Sequence, residues 1–211
     1  MRRFKIARLL VLGLLLLVPP AQAQFLGQLS TARTLPVGKY DLGGYFGVYE
    51  DAFAFFGQFR GGAADHLDLG MKLGVINYDP PGKNGSNTGV ILGGDLKYQL
   101  LDAKLKDPFD LSIGAGFEFF SVKDYDSFSF GANFCGSKDF PLSKGRVITP
   151  YGRLNLRGER APDEVGRKET DFQAGLNPGV SLRVTTDLQI LGEFQFDDNF
   201  GFIGGLTYSF Y

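Results

Sequence analysis

The 211-residue chain contains one cysteine, one histidine, two methionines and no tryptophan. Cys135 alone cannot close an internal disulfide, and a metal site built around it would need ligands from elsewhere. Hydrolytic chemistry that uses histidine as its base has a single imidazole to draw on, and His66 falls in what reads as a turn, Ala63-Ala64-Asp65-His66. No G-x-S-x-G, H-E-x-x-H, P-loop or dinucleotide fingerprint is present. No catalytic, cofactor-binding or metal-binding residue is expected, and the chain reads as a non-enzyme. Lysines and arginines are scattered singly instead of forming a basic face, which argues against nucleic-acid binding. Long apolar runs are also missing: Leu9 to Val18 is about ten residues, where a spanning helix needs roughly twenty.

That short run belongs to a different kind of segment. Arg2, Arg3, Lys5 and Arg8 precede it, and Pro19-Pro20 and the small-residue site Ala21-Gln22-Ala23 follow it, the three regions of a secretory signal. Cleavage is expected after Ala23, leaving residues 24–211 as one domain. Removal takes away four of the 22 Lys and Arg and none of the 23 Asp and Glu, which turns the formal net charge from −1 to −5.

What the chain has in quantity is glycine (30), phenylalanine (21) and tyrosine (9). These suit short strands and tight turns, and no heptad-like spacing occurs after residue 24. Apolar residues alternate with polar ones in segments of about ten residues separated by Gly, Pro, Asp, Asn and Lys, as transmembrane barrel strands do. Ten strands are expected, near 38–49, 53–62, 66–77, 89–101, 109–122, 127–136, 146–157, 170–183, 187–196 and 200–210. Eight remain possible if 53–62 or 127–136 is misread. The fold class is therefore all-β, an antiparallel up-and-down transmembrane barrel. The longer connections, 78–88 and 158–169, are expected on the side away from the termini, together with the acidic turn pairs Glu50-Asp51, Asp124/Asp126 and Asp197-Asp198, which read as solvated.

One face of these segments is nearly free of charge: Leu67, Leu69, Met71, Leu73 and Val75 are one example. The other carries the bases Lys39, Arg60, Lys72, Lys97, Arg153, Arg157 and Arg183. It also carries the acids Asp41, Asp68, Asp95, Asp110, Glu118, Asp171 and Glu193. Alternation alone does not say which face points inward, because a soluble barrel would bury the apolar set. Glycines concentrated on the polar face favour a charged interior, since they make room for long side chains meeting from opposite walls. Charges held away from water need partners, so these fourteen groups are expected to interlock as a lumen network and fill the barrel. A narrow water-filled lumen lined by the same groups is the competing expectation. A wide pore would need about sixteen strands.

The chain ends on Phe202, Leu206, Tyr208 and Phe210 in one phase, with Tyr211 one residue beyond it. Together with the signal and the dyad repeat Leu67-Asp68-Leu69-Gly70-Met71-Lys72-Leu73-Gly74-Val75, this ending resembles the small outer-membrane β-barrel proteins of Gram-negative bacteria, the group that includes the membrane domain of OmpA-type porins. The resemblance covers residues 24–211 in pattern and identifies no subfamily. It implies a place in the outer membrane, contact with its lipid, and an assembly signal in Phe202, Leu206, Tyr208, Phe210 and Tyr211 read by the barrel-assembly machinery. The expected role is structural or surface-interacting, with no surface partner identified. A narrow channel for small solutes and a soluble periplasmic ligand-binding barrel are the alternatives.

Overall fold

The structure is a computed structural model and describes residues 27–79, 86–123, 125–162, 168–196 and 200–211. The expected signal segment, most of the 78–88 connection and Asp124, Asp197 and Asp198 lie outside the described residues. Ten long antiparallel strands follow one another: β1 (Tyr40–Tyr49), β2 (Ala52–Ala64), β3 (Leu67–Tyr78), β4 (Asn87–Leu101), β5 (Asp110–Val122) and β6 (Tyr125–Ser137), then β8 (Val147–Pro162), β9 (Lys168–Arg183), β10 (Leu188–Phe196) and β11 (Phe200–Phe210). A two-residue strand, β7 (Phe140–Pro141), adds a small arm against β8. Neighbours in sequence are neighbours in the sheet, β1 pairs with β11, and the sheet is closed. Closure leaves no long edge to be covered.

Nine of the ten expected segments match these strands to within two residues at each end. The 158–169 connection is the clearest correction. β8 and β9 stay paired from Gly158↔Phe172 out to Pro162↔Lys168, so most of that stretch is ladder. There the outward positions include exposed Arg160. Beyond the apolar band nothing demands an apolar outer face, so the alternation that marks a strand fades while the hydrogen bonds continue.

Strand β3 shows the polarity of the wall. Met71 and Leu73 are 63 % and 64 % exposed outward, while Asp68 and Lys72, in the alternate phase, are 0 % and 4 % exposed and face inward. Around the barrel most large apolar side chains stand on the outside and Arg60, Arg153 and Glu193 are among the most buried groups, while Phe56, Ile76, Ile91, Val122 and Ile203 form part of a buried apolar cluster within. Exposed aromatics gather toward both ends of the outer surface. Tyr40, Tyr98, Tyr208 and Phe210 lie near the rim that holds the termini, and Phe53, Phe119, Phe128 and Phe196 near the far rim. Such girdles mark the two interfaces of a bilayer-spanning barrel. His66 sits in the tight β2–β3 turn at the near rim, at φ 61°, a left-handed position. Its carbonyl accepts from Gln99 N at 2.8 Å.

The β1–β11 seam closes over glycine. A Cβ on Gly205 would stand 2.4 Å from Gly44 O and 2.3 Å from a ring carbon of Tyr45. Gly205→Val is expected to cost on the order of 1–3 kcal/mol through overpacking, read as a lower urea midpoint of the folded, heat-modifiable form. An unchanged midpoint would contradict this close approach.

Candidate functional site: a lumen filled by the N-terminal segment

Residues 27–37 do not continue the wall. They run inside the barrel, entering at the near rim, where Val37 makes an isolated bridge with Gly62. Gln28, Leu29 and Ala32 are buried. An extended segment away from its neighbours in the sheet has no ladder to satisfy its N–H and C=O groups, and burial makes them costly if unmet. Here the wall's side chains take that part. Lys72 Nζ donates to Gly27 O at 2.9 Å, and Arg60 donates to Gln28 O at 3.4 Å. Arg153 reaches Ser30 O at 2.8 Å. Lys97 Nζ lies 3.1 Å from Ser30 Oγ, 3.0 Å from Thr31 O and 2.8 Å from Arg33 O. The segment's N–H groups find acceptors in turn: Ala32 N donates to Ser137 Oγ, Thr34 N to Gln99 Oε1 and Leu35 N to Asp68 Oδ2.

The bases that hold the segment are themselves held by acids. Arg60 bridges Asp68 and Asp95 at 2.5 Å each, and Lys97 approaches the second oxygen of Asp68 at 3.3 Å. Gly70 makes this possible, because a Cβ there would lie 2.5 Å from the Arg60 guanidinium and 2.6 Å from Asp95 Oδ2. Higher in the lumen Lys72 pairs with Glu118 at 2.6 Å. Across from it Arg153 pairs with Glu193 at 2.9 Å, and Glu193 also accepts from Tyr151, Asn177 and Gln195. Arg157 lies 3.8 Å from Glu159 and donates to Gln173.

Of the fourteen charged positions singled out in the sequence, Arg60, Asp68, Asp95, Lys72, Glu118, Lys97, Arg153, Glu193 and Arg157 stand in these contacts. Asp110 is buried at the near rim, paired with Arg33 of the inner segment at 3.0 Å. Asp41 is half-buried and accepts from Ser209 Oγ at 2.6 Å. Three lie at the margins. Lys39 places its ammonium 5.3 Å above the Tyr211 ring, Arg183 is half-buried at the near rim, and Asp171 is exposed. Asp171 has the inward phase and lies opposite Glu159 on the β8–β9 ladder, yet it is exposed while Glu159 is buried. Phe202, Leu206, Tyr208 and Phe210 lie on β11, with the last three exposed outward; Tyr211 follows the strand and is 87 % exposed.

The chain's likeness to solved structures is of fold only. It resembles the β domain of the Bordetella autotransporter BrkA at 12 % identity and a TM-score of 0.47, over 82 % of this chain and 98 % of that one. An outer-membrane channel from Pseudomonas putida F1 is similar at 12 % identity and a TM-score of 0.45, over 89 % of this chain and all of that one. The KdgM porin is similar at 9 % identity and a TM-score of 0.43, over 81 % and 99 %. No family model and no curated protein matches the chain.

The groups that sequence reading missed are of two kinds: Gln28, Ser30, Arg33 and Thr34 on the inner segment with Gln99, Ser137 and Asp139 facing it, and the wall partners Tyr151, Asn177 and Gln195 around Glu193 and Glu159 and Gln173 around Arg157. The segment has no two-residue or helical period, so pattern reading passes over it. Its small and polar residues Gly27, Gln28, Ser30 and Thr31 suit a slender lumen but name no position.

Arg33 clasps the near rim through Asp110 and through Asp139 at 2.6 Å. Burial raises the Asp139 carboxyl, but the hydrogen bond from Thr149 Oγ1 and the charge of Arg33 outweigh it and hold it below its ordinary 3.8. A carboxyl depressed in the folded state adds stability above its unfolded pKa and loses it as pH falls through the folded one. The coupling between Arg33→Ala and Asp139→Asn, measured by denaturant midpoints in a double-mutant cycle, should therefore be present at neutral pH and vanish well below 3.8. Lys97→Met removes one partner of a buried pair and three bonds to the segment, and is expected to cost about 3–5 kcal/mol. A midpoint equal to the parent's would show that Lys97 does not hold the segment.

Proposed function

We propose that this protein is a non-enzymatic outer-membrane barrel whose lumen is closed, serving a structural or surface-interaction role and not transport. The observation that carries this reading is the inner segment: Gly27 to Leu35 occupies the interior from the near rim to the level of Lys72, tied to the wall by Arg60, Lys97 and Arg153. Ion pairs alone would have left a narrow lumen that could still hold water. A chain segment bonded along its length removes that space in the near half.

The outer surface supports the membrane setting. Side chains such as Leu73, Met71 and Leu206 stand exposed in a continuous apolar band, and water would make that surface an aggregation hazard. A soluble ligand-binding barrel would have the opposite polarity. Membrane lipid is then the partner of the outer face, and the terminal strand with Phe210 and Tyr211 is the segment we assign to the assembly machinery. The export signal in residues 1–23 delivers the chain to that machinery.

The intact processed protein in planar bilayers should show no stable conductance, and in cells it should fractionate with the outer membrane and resist carbonate extraction. Steady channel activity would instead support the narrow-channel alternative, and carbonate release the soluble one.

A further inference from the structure

The inner segment closes the barrel with very little charge. From Gly27 to Val37 its one ionisable side chain is Arg33, and every other tie to the wall is a backbone or neutral group. The wall bases that donate to its carbonyls are all paired with wall acids: Arg60 with Asp68 and Asp95, Lys97 with Asp68, Lys72 with Glu118, and Arg153 with Glu193. Those pairs do not depend on the segment for charge balance. The near rim does.

There Asp110 and Asp139 share Arg33. Asp110 is otherwise met by neutral donors, Gln99 Nε2 and Ala103 N, and Asp139 by Thr149 Oγ1. The acids of the near half are Asp41, Asp68, Asp95, Asp110 and Asp139. The wall bases among them are Arg60, Lys97, half-buried Arg183 and Lys39 at the rim itself, with Lys39 acting on Asp41 and Arg183 on Asp139 through space. Without Arg33 acids outnumber bases at this mouth, and above it the Lys72–Glu118, Arg153–Glu193 and Arg157–Glu159 contacts are neutral in sum.

The opposite wall offers a path. Asn133 Oδ1, Asn177 Oδ1 and both amide atoms of Asn155 are buried without a hydrogen-bond partner among the described residues. Asn133 and Asn155 are direct cross-strand partners on β6 and β8, so these groups form a patch. Buried polar groups left unmet by protein are where water or a passing ion takes the bond. Amide oxygens and a ring of carboxylates are the ligands that favour cations over anions.

We infer that withdrawal of the Gly27–Leu35 segment turns the barrel into a narrow conduit selective for small cations, with Asp110 and Asp139 as its charged mouth. The inference rests on the closed-lumen reading of the intact protein. The segment is then both stopper and counter-charge: leaving, it frees the space and unmasks the two carboxylates.

The test is a planar-bilayer recording across a potassium chloride gradient. The intact protein is silent, and a variant lacking residues 24–36, so that processing after Ala23 leads straight into Val37, conducts with a reversal potential shifted toward that of potassium. Adding Asp110→Asn and Asp139→Asn to the deletion reduces that shift, and a synthetic peptide of residues 24–36 suppresses the current. A folded, heat-modifiable deletion barrel that stays silent, or that prefers chloride, overturns the inference. If the deletion does not fold, full-length Arg33→Ala decides: brief cation-preferring openings support the conduit and silence overturns it. Steady conductance of the intact protein would sink the closed-lumen reading, whatever the deletion does.

Discussion

A charge inside a barrel must be met by protein, because no bulk water is there to meet it, and that requirement organises this molecule around Asp68. Its two oxygens accept from Arg60, Lys97 and Leu35 N, one group from each of two wall strands and one from the segment between them. Neither base is satisfied by Asp68 alone. Arg60 goes on to Asp95 and Gln28 O, and Lys97 to Ser30, Thr31 and Arg33. Each unmet donor recruits the next acceptor, and the wall and the segment become a single hydrogen-bonded body. Removing any one member strands the others in a low-dielectric interior, where an unpaired charge is far more costly than a pair is beneficial.

The outer surface obeys the complementary rule. The ladder pairs the backbone of the wall within the sheet, which leaves the exterior between the rims free to be apolar. Inside, the segment lacks a ladder, so side chains do what strand neighbours do elsewhere. The same chemistry, a donor for every buried carbonyl, is met by backbone in the wall and by lysine and arginine in the lumen.

The wall was readable in the sequence because its constraint is periodic. Alternation over Leu67–Val75 needs only the two-residue period of a strand with one apolar face, and it located β3 to within a residue. Phase also placed Arg60, Lys72, Arg153 and their acids on the inner side. It could not say which would meet, because pairing across the lumen depends on strand stagger: Lys72 finds Glu118 two strands away, while Asp171, in the right phase, is exposed. The inner segment was illegible for a different reason. Its conformation is dictated by groups 32 to 123 residues distant, such as Arg60 for Gln28 and Arg153 for Ser30, and no local pattern records them. Asp139 was passed over likewise, as a loop carboxylate whose partner comes from that segment.

Three tyrosines lie flat on glycines of the inner wall: Tyr45 over Gly43 and Gly205, Tyr49 over Gly47 and Gly201, and Tyr151 over Gly179. Each ring occupies the volume that a neighbouring side chain would have used. The ring and its glycines are thus one unit of inheritance, although Tyr45 and Gly205 stand at opposite ends of the chain. A lineage cannot enlarge the glycine first without expelling the ring, so the tolerated order of change runs from the aromatic to the glycine and not the reverse.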